Sequence, residues 1–195
     1  TTIISRFKES GALIWWAWYL GMQGIDYQKV RDTAADAGTC AHDMVESFIR
    51  SKAFCADLYP EEILQPAEMA FGAFNQWAEQ SNLKPDQTEI QLVSPLHRYG
   101  GTLDAVTLNG ELHLLDWKTS NSIYSDHLLQ LAAYGHLWEE NFPDRPLKGY
   151  ELVRFSKREG DFAHYSFVSL KQELKMFLHL RSAYELDKEI NKRVR

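Results

Sequence analysis

Cysteine is nearly missing from this 195-residue chain. Cys40 and Cys55 are the only two, and they form no metal-ligand or redox spacing, which excludes a disulfide framework, a zinc ribbon and an all-cysteine iron-sulfur cluster. Any metal must be held mainly by oxygen and imidazole. Long hydrophobic runs are missing too. The longest, Gly11 to Met22, is twelve residues with its glycines counted, well short of a membrane span. No basic-then-apolar leader is visible, so the expectation is a cytosolic protein without a membrane partner, in a bacterium or a phage-infected cell. Excess positive charge is absent as well: 21 Lys and Arg stand against 27 Asp and Glu, a net −6, which speaks against binding a polyanion by charge alone.

What is present is ordinary for a folded protein. Apolar residues make up 45% and charged residues 25%, near the averages of globular domains, so disordered and collagen-like classes drop out. At roughly 150 residues per domain the length predicts one domain over 1–195, with a helical portion over 1–82 and a sheet with flanking helices over 83–195. The charge is unevenly placed. Residues 1–97 hold 7 basic and 13 acidic side chains, 98–195 hold 14 of each, and Lys148 to Arg195 has 11 basic against 7 acidic. A bound polyanion is therefore expected against the C-terminal third, where Arg154, Lys157 and Arg158 cluster on a hairpin and Lys188, Lys192, Arg193 and Arg195 close the chain.

Hydrophobic periodicity outlines the fold. The run from Gly11 to Met22 reads as a buried helix, its tryptophans packing in a core more readily than stacking on bases. Helical periodicity continues from Tyr27 to about Phe54, with an interruption expected at Gly38-Thr39, and again from Glu61 to about Gln80. The period then falls to two, predicting strands over Thr88–Leu96, Thr102–Leu108 and Glu111–Thr119. A helix over Asp126–Glu140 follows, with Ser125 as its expected cap. Two more strands, Tyr150–Phe155 and Ala163–Val168, precede a last helix over Leu170–Asn191. The fold class is α/β, a sheet inserted between helices.

The stretch that carries chemistry runs from Gly101-Thr102-Leu103-Asp104 to Asp116-Trp117-Lys118. Residues two apart in a strand share a face, so Asp116 and Lys118 project together while Trp117 points away. Whether Asp104 joins them depends on the hairpin. A two-residue Asn109-Gly110 loop pairs Leu108 with Glu111 and leaves Asp104 opposite Leu115, on the wrong face. A three-residue loop, Leu108-Asn109-Gly110, pairs Thr107 with Glu111 and brings Asp104 to the face of Asp116 and Lys118. That loop, or an equivalent one-residue bulge, is expected. Two carboxylates and a lysine at a strand pair suit metal-assisted phosphodiester hydrolysis: carboxylates bind a hard cation while leaving positions for water and phosphate. Taken as an isolated tripeptide, Asp116-Trp117-Lys118 reads far more readily as an ordinary ion pair at an exposed strand end.

The tripeptide is not isolated. Gly38-Thr39-Cys40-Ala41-His42, Glu46, Gly101-Thr102-Leu103-Asp104, Asp116-Trp117-Lys118 and Gln130-Leu131-Ala132-Ala133-Tyr134 together resemble the ordered motifs of the RecB-like branch of the PD-(D/E)XK nuclease superfamily. The resemblance spans about half the chain, Gly38 to Tyr134. It implies a restriction-endonuclease-like central mixed sheet flanked by helices, with an N-terminal helical part. It further implies Lys118, Asp116, Asp104 and Glu46 as catalytic residues. The metal ligands would be His42, Asp104, Asp116 and the backbone carbonyl of Trp117, with Glu89 as a weaker addition. Gln130 and Tyr134 would meet the substrate strand, with Arg154, Lys157 and Arg158 as further phosphate contacts. The spacing is compatible: His42 and Glu46, like Gln130 and Tyr134, are four apart and stack on one helical face. The expected cofactor is Mg²⁺ or Mn²⁺, one or two ions, with no iron-sulfur cluster. The expected activity is a metal-dependent DNA nuclease, in first place an exonuclease of recombination, repair or phage DNA processing. A homo-oligomer or a recombination partner protein is compatible with it. A non-catalytic nucleic-acid-binding subunit, a structure-specific endonuclease and an RNase are the alternatives. No helicase motif or Gly-rich nucleotide loop is visible.

Overall fold

A computed structural model describes residues 1–8, 11–108 and 110–194, the side chain of Leu108 excepted. Five strands form one sheet in chain order: β1 (Gln87–Ser94), β2 (Tyr99–Leu108), β3 (Glu111–Lys118), β4 (Gly149–Phe155) and β5 (Phe162–Phe167). All neighbours are antiparallel except β3 and β4, so the sheet is mixed. A parallel pair needs a crossover, and α5 (Ser125–Asn141) supplies it.

Helices cover both faces. On one side α3 (Tyr27–Ile49) and α4 (Glu61–Ser81) bury Ala41, Val45, Ala70, Phe74 and Trp77 against Ala105, Leu115, Trp117, Val153 and Phe155. On the other side α5 packs Leu131, Leu137 and Trp138 against Leu103, Val106, Leu114 and Leu152. Beyond it, α6 (Lys171–Lys192) and the short α1 (Thr2–Phe7) close over α5 through Ile4, Leu129, Ala133 and Phe177. The expected strands and helices are all present, with ends displaced by a few residues.

The register resolves the hairpin question. Leu108 pairs with Glu111, which is the two-residue register, and Asn109 lies outside the described residues. The pairing then shifts by one, so that Val106 pairs with Leu114 and Ala105 with Leu115. Thr107, at φ +87°, lies at this shift. A bulge, rather than the three-residue loop, therefore shifts the parity, setting Ala105 opposite Leu115, and the Asp104 carboxylate next to it accepts a hydrogen bond from the Trp117 backbone N–H at 2.8 Å.

Three expectations are corrected. The apolar helix α2 (Gly11–Met22) exists but buries no residue. Being apolar on every side it has no single face to dock, and the sheet is already covered by α3, α4 and α5. No interruption occurs at Gly38-Thr39: α3 runs through, because Gly38 is needed small beside β3 and the Thr39 hydroxyl bonds back to the Ala35 carbonyl at 3.4 Å. It ends earlier than expected, at Ile49, with Ser51 left-handed. Ser125 is the first helical residue of α5 and not its cap, which is Tyr124; the Ser125 hydroxyl instead accepts a hydrogen bond from Lys8 at 2.7 Å.

Candidate metal centre and cleft

The site forms where α3 crosses the ends of β1, β2 and β3. Gly38, His42 and Glu46 lie four residues apart on the face of α3 turned toward the sheet. The helix comes close because Gly38 has no side chain: a Cβ there would stand 2.8 Å from the Thr119 hydroxyl. A cleft of about 360 Å³ opens between helix and sheet, lined by Gly38, His42, Asp43, Glu46, Glu89 and Asp104 among others.

Two irregularities aim the carboxylates into it. Leu103 packs on the α5 side of the sheet, yet Ala105, two residues on, packs on the α3 side. The alternation of β2 thus breaks at Asp104. The β1–β2 register pairs Thr88 with Ala105 and Ile90 with Leu103, which sets Glu89 opposite Asp104. Glu89 is left-handed, at φ +52°, a conformation that a residue with a side chain adopts at a cost. The result is a convergence: among the described residues His42, Glu89 and Asp104 form the one group of three whose ligand atoms all lie within 4.8 Å of one another. Glu89, the weakest of the expected ligands, is therefore among the best placed.

Electrostatics mark the group as short of a cation. Burial, then the nearby Asp116 carboxylate, push Asp104 far above the usual aspartate range, against the pull of Lys118 and a 2.8 Å hydrogen bond from the Trp117 backbone N–H. Burial, then Asp104 and Glu46, raise Glu89 as well. Burial and Lys118 lower His42, favouring the neutral imidazole that ligates metals; its Nδ1 lies 3.7 Å from Asp104 Oδ1. Two carboxylates that must keep protons or tolerate repulsion are thereby set beside a neutral imidazole. A divalent ion relieves that conflict, and an oxygen-rich set with one imidazole suits Mg²⁺ or Mn²⁺.

Asp116 is 1% exposed. Its Oδ2 lies 2.6 Å from Lys118 Nζ but makes no hydrogen bond of good geometry, so the lysine meets it as a charge. Glu46 lines the cleft and binds Arg50 at 2.9 Å, and Arg50 in turn reaches the Thr88 carbonyl at 3.3 Å, tying the end of α3 to β1 beside Glu89. On α5, Gln130 donates to the Tyr134 hydroxyl at 2.7 Å. Tyr134 lies flat against β2 because Gly101 is bare: a Cβ there would stand 2.5 Å from the ring. Asp116 and Asp104 both act on the Tyr134 hydroxyl, which burial keeps protonated. The glycine of the Gly101-Thr102-Leu103-Asp104 motif thus couples α5 to the carboxylates.

The basic residues divide. Lys157 lines a second hollow of about 260 Å³ beside the first, with Ala34, Ala35, Lys118, Thr119 and Ser120 among its walls, and donates to the Ala34 carbonyl at 2.6 Å. Trp117 borders the same hollow, with its ring packed against Phe74 and Trp77. Arg154 and Arg158 do not join the site. Arg154 is held by Asp161 at 2.9 Å, closing the β4–β5 hairpin, and Arg158 points out from its turn and lines neither hollow. A strand neighbour of Lys118 in register need not share its chemistry when a nearer carboxylate claims it. Arg195 lies outside the described residues.

Asp43 and Thr119 also line the cleft and were not expected from the sequence. Asp43 accepts a hydrogen bond from Tyr59, which holds the Tyr59 hydroxyl up at about 12. That partner comes from a loop whose position no local pattern encodes. Thr119 follows Lys118 directly, and the need of Gly38 for a close neighbour was its only signal.

No protein-family model matches the chain, and no curated protein matches it. Solved structures similar to it include a candidate exonuclease from Eubacterium rectale, at 12% identity and a TM-score of 0.49, over 75% of this chain and 68% of that one. The protein SSO0001 is similar at 18% identity and a TM-score of 0.40, over 77% and 72% of the two chains. An alkaline exonuclease from Laribacter hongkongensis is similar at 12% identity and a TM-score of 0.35, over 66% and 73%. Among the described residues no helix is long and apolar enough to cross a membrane.

Proposed function

We propose that this chain is a metal-dependent nuclease of the RecB-like PD-(D/E)XK type that hydrolyses phosphodiester bonds in DNA, as an exonuclease. The observation that carries the reading is the meeting of His42, Glu89 and Asp104 within 4.8 Å beside the Asp116–Lys118 pair at 2.6 Å. An acidic cluster alone is common on protein surfaces. This one joins a neutral histidine and two carboxylates raised by burial in one cleft, with a lysine in the adjoining hollow, on the elements where the motif order expects them.

His42, Glu89 and Asp104 would hold Mg²⁺ or Mn²⁺, with Asp116 and the Trp117 backbone carbonyl as further ligands. The ion would polarise the phosphoryl oxygen and lower the pKa of bound water. The residues of the chain do the rest. Lys118, kept in place by Asp116, offsets charge growing on the phosphate and orients the attacking water. Tyr134 and Gln130 brace the strand face from α5, and Lys157 meets a phosphate next to the scissile one. The net charge of −6 is no obstacle, since bound cations dominate the local field.

The test is incubation with end-labelled linear and closed circular DNA, single- and double-stranded, in Mg²⁺, Mn²⁺ or EDTA, beside Lys118→Ala. Metal-dependent loss of linear DNA alone, abolished by the substitution, is the expected result. Cutting of circles makes the protein an endonuclease, and cutting of RNA alone an RNase. No cutting with any metal moves the reading to a binding subunit that keeps the fold.

A further inference from the structure

From Gly11 to Asp36, across α2 and the first half of α3, no residue is buried. This arm stands on two feet. Lys8 reaches Ser125 at 2.7 Å and Asp126 at 2.7 Å, at the start of α5, and α2 begins three residues further along the sequence. The other foot is Gly38, pressed on Thr119. The feet thus flank 119–125, the segment that leaves β3 just after Lys118, and its extended reach is at most about 22 Å. A helix of twelve residues extends about 18 Å, and Ala34 and Ala35, a turn before the second foot, form part of the hollow lined by Lys118 and Lys157.

The arm exposes flat rings. Trp15 and Tyr19 lie stacked, centroids 5.4 Å apart and planes 8° from parallel, with 61% and 45% of their surfaces open to solvent, and Trp18 is 59% exposed. Large aromatic surface left in water marks a binding site. Helix α2 carries no charged residue. Of the acids that follow, Asp26 caps α3, Asp32 is paired with Arg31 at 2.7 Å and Asp36 is exposed, with the basic Lys29 and Arg31 on the same stretch. No negative side chain of α2 would repel a phosphate backbone, and the way inward passes Lys157 and Lys118.

We propose that this arm is a stacking platform for single-stranded DNA, which feeds a strand end past Lys157 into the cleft. The proposal rests on the nuclease reading and adds strand preference to it. Unpaired bases can extend the Trp15–Tyr19 stack, because every base has a π face; bases in a duplex cannot. A protein helix or groove docks through one apolar face, and α2 is apolar all round, on an arm whose later residues Ala34 and Ala35 border the hollow of Lys118 and Lys157.

The test measures binding of a fluorescent oligothymidine of about 20 nucleotides and of a duplex of equal length by anisotropy, in EDTA so that nothing is cut. Wild-type protein, Trp15→Ala/Tyr19→Ala, Trp18→Ala and the ring-keeping Trp15→Phe are compared. Wild type should prefer the single strand, with its tryptophan fluorescence quenched on binding. The Trp15→Ala/Tyr19→Ala protein should bind it about tenfold or more weakly, Trp18→Ala should lose less, and Trp15→Phe should bind nearly as wild type. Circular dichroism and the heat of Mn²⁺ binding serve as folding controls. Unchanged oligothymidine affinity in the double variant overturns the proposal. So does a change in sedimentation without a change in affinity, which makes the arm a contact between copies, or ring-dependent binding to phosphatidylglycerol vesicles in place of DNA. The two readings separate cleanly. Wild type that cuts DNA while the double variant binds as well as it does removes the platform and leaves the nuclease; ring-dependent binding without Mn²⁺ heat or cutting does the reverse.

Discussion

Replacing Glu89 with glycine should stabilise the metal-free protein and destroy its response to metal. Glu89 is left-handed at φ +52°, which costs a residue bearing a Cβ about 1–2 kcal/mol. Glycine adopts that conformation freely, while its looser unfolded chain gives back about 0.4–1 kcal/mol. The backbone balance is a gain of about 0.5–1 kcal/mol, and removing a carboxylate that Asp104 and Glu46 repel adds to it in the same direction. For a chain of this size such a gain raises Tm by about 2–3 °C. Metal reverses the order. At one hundred times its Kd a ligand stabilises the native state by about 2.7 kcal/mol, and only a protein with an intact ligand set collects it. Thermal unfolding of wild type, Glu89→Gly and Glu89→Gln, in EDTA and in a Mn²⁺ series, is the assay. Glu89→Gln keeps the strain and loses the charge, so it should gain less than glycine in EDTA. The melting order of wild type and Glu89→Gly should cross as Mn²⁺ is added. A glycine variant that melts lower in EDTA yet still gains from Mn²⁺ would refute the reasoning, since Glu89 would then be a structural residue whose conformation is not strained.

Four further outcomes follow from the same geometry. Lys118→Ala should lower turnover by at least about a hundredfold with the melting temperature nearly kept, read by single-turnover cleavage. Gly101→Ala drives a methyl into the Tyr134 ring, where a Cβ would stand at 2.5 Å, and should cost about 1–3 kcal/mol; adding Tyr134→Leu should recover part of it in a double-mutant cycle. Asp104 has a raised folded pKa, so its stabilising contribution is whole below the unfolded value near 3.9 and is lost as pH rises through the folded one. The metal-free protein should therefore lose stability from about pH 4 toward neutral and above, and Asp104→Asn should flatten that slope, as urea melts across pH will show. Glu151 has the opposite sign. Burial raises it, but hydrogen bonds from His164, Ser166 and His113 outweigh that and hold it low, so its contribution is present above the unfolded carboxylate range and lost as pH falls; Glu151→Ala, leaving His113 and His164 without the acceptor that each meets at 2.6 Å, should cost about 3–5 kcal/mol by denaturant unfolding.

What could be read from the sequence, and what could not, divides along the range of the physics involved. The strands and helices follow from periodicity because each buries a face on one sheet. Parity settled the hairpin as well: a metal site needs Asp104 turned to Asp116, so an extra residue had to enter somewhere between them. Its place was not encoded locally, since Leu108 and Glu111 keep the two-residue register and the shift falls at Thr107, a β-branched residue that no propensity would choose for φ +87°. Glu89 was obscure for a related reason. Strict alternation groups it with Gln91 and Val93, and only the break in β1 and β2 turns it toward His42. The two irregularities that sequence rules handle worst are thus the ones that build the candidate centre, as expected if strain persists where it serves a site.

The failure over α2 has a different origin. A helix apolar on every side satisfies each local rule for burial, but burial also needs a vacancy. Here α3 and α4 fill one face of the sheet and α5 the other, so nothing remains for Trp15, Trp18 and Tyr19 to enter. Composition alone cannot report that, because it depends on the volume already taken by distant elements. Once the faces are known to be full, the argument reverses: apolar rings kept in water beside a cleft are costly unless something covers them. On the proposed platform, a flat, unpaired base covers them, so binding of a single strand, and not the melting of the free protein, should register the removal of those rings.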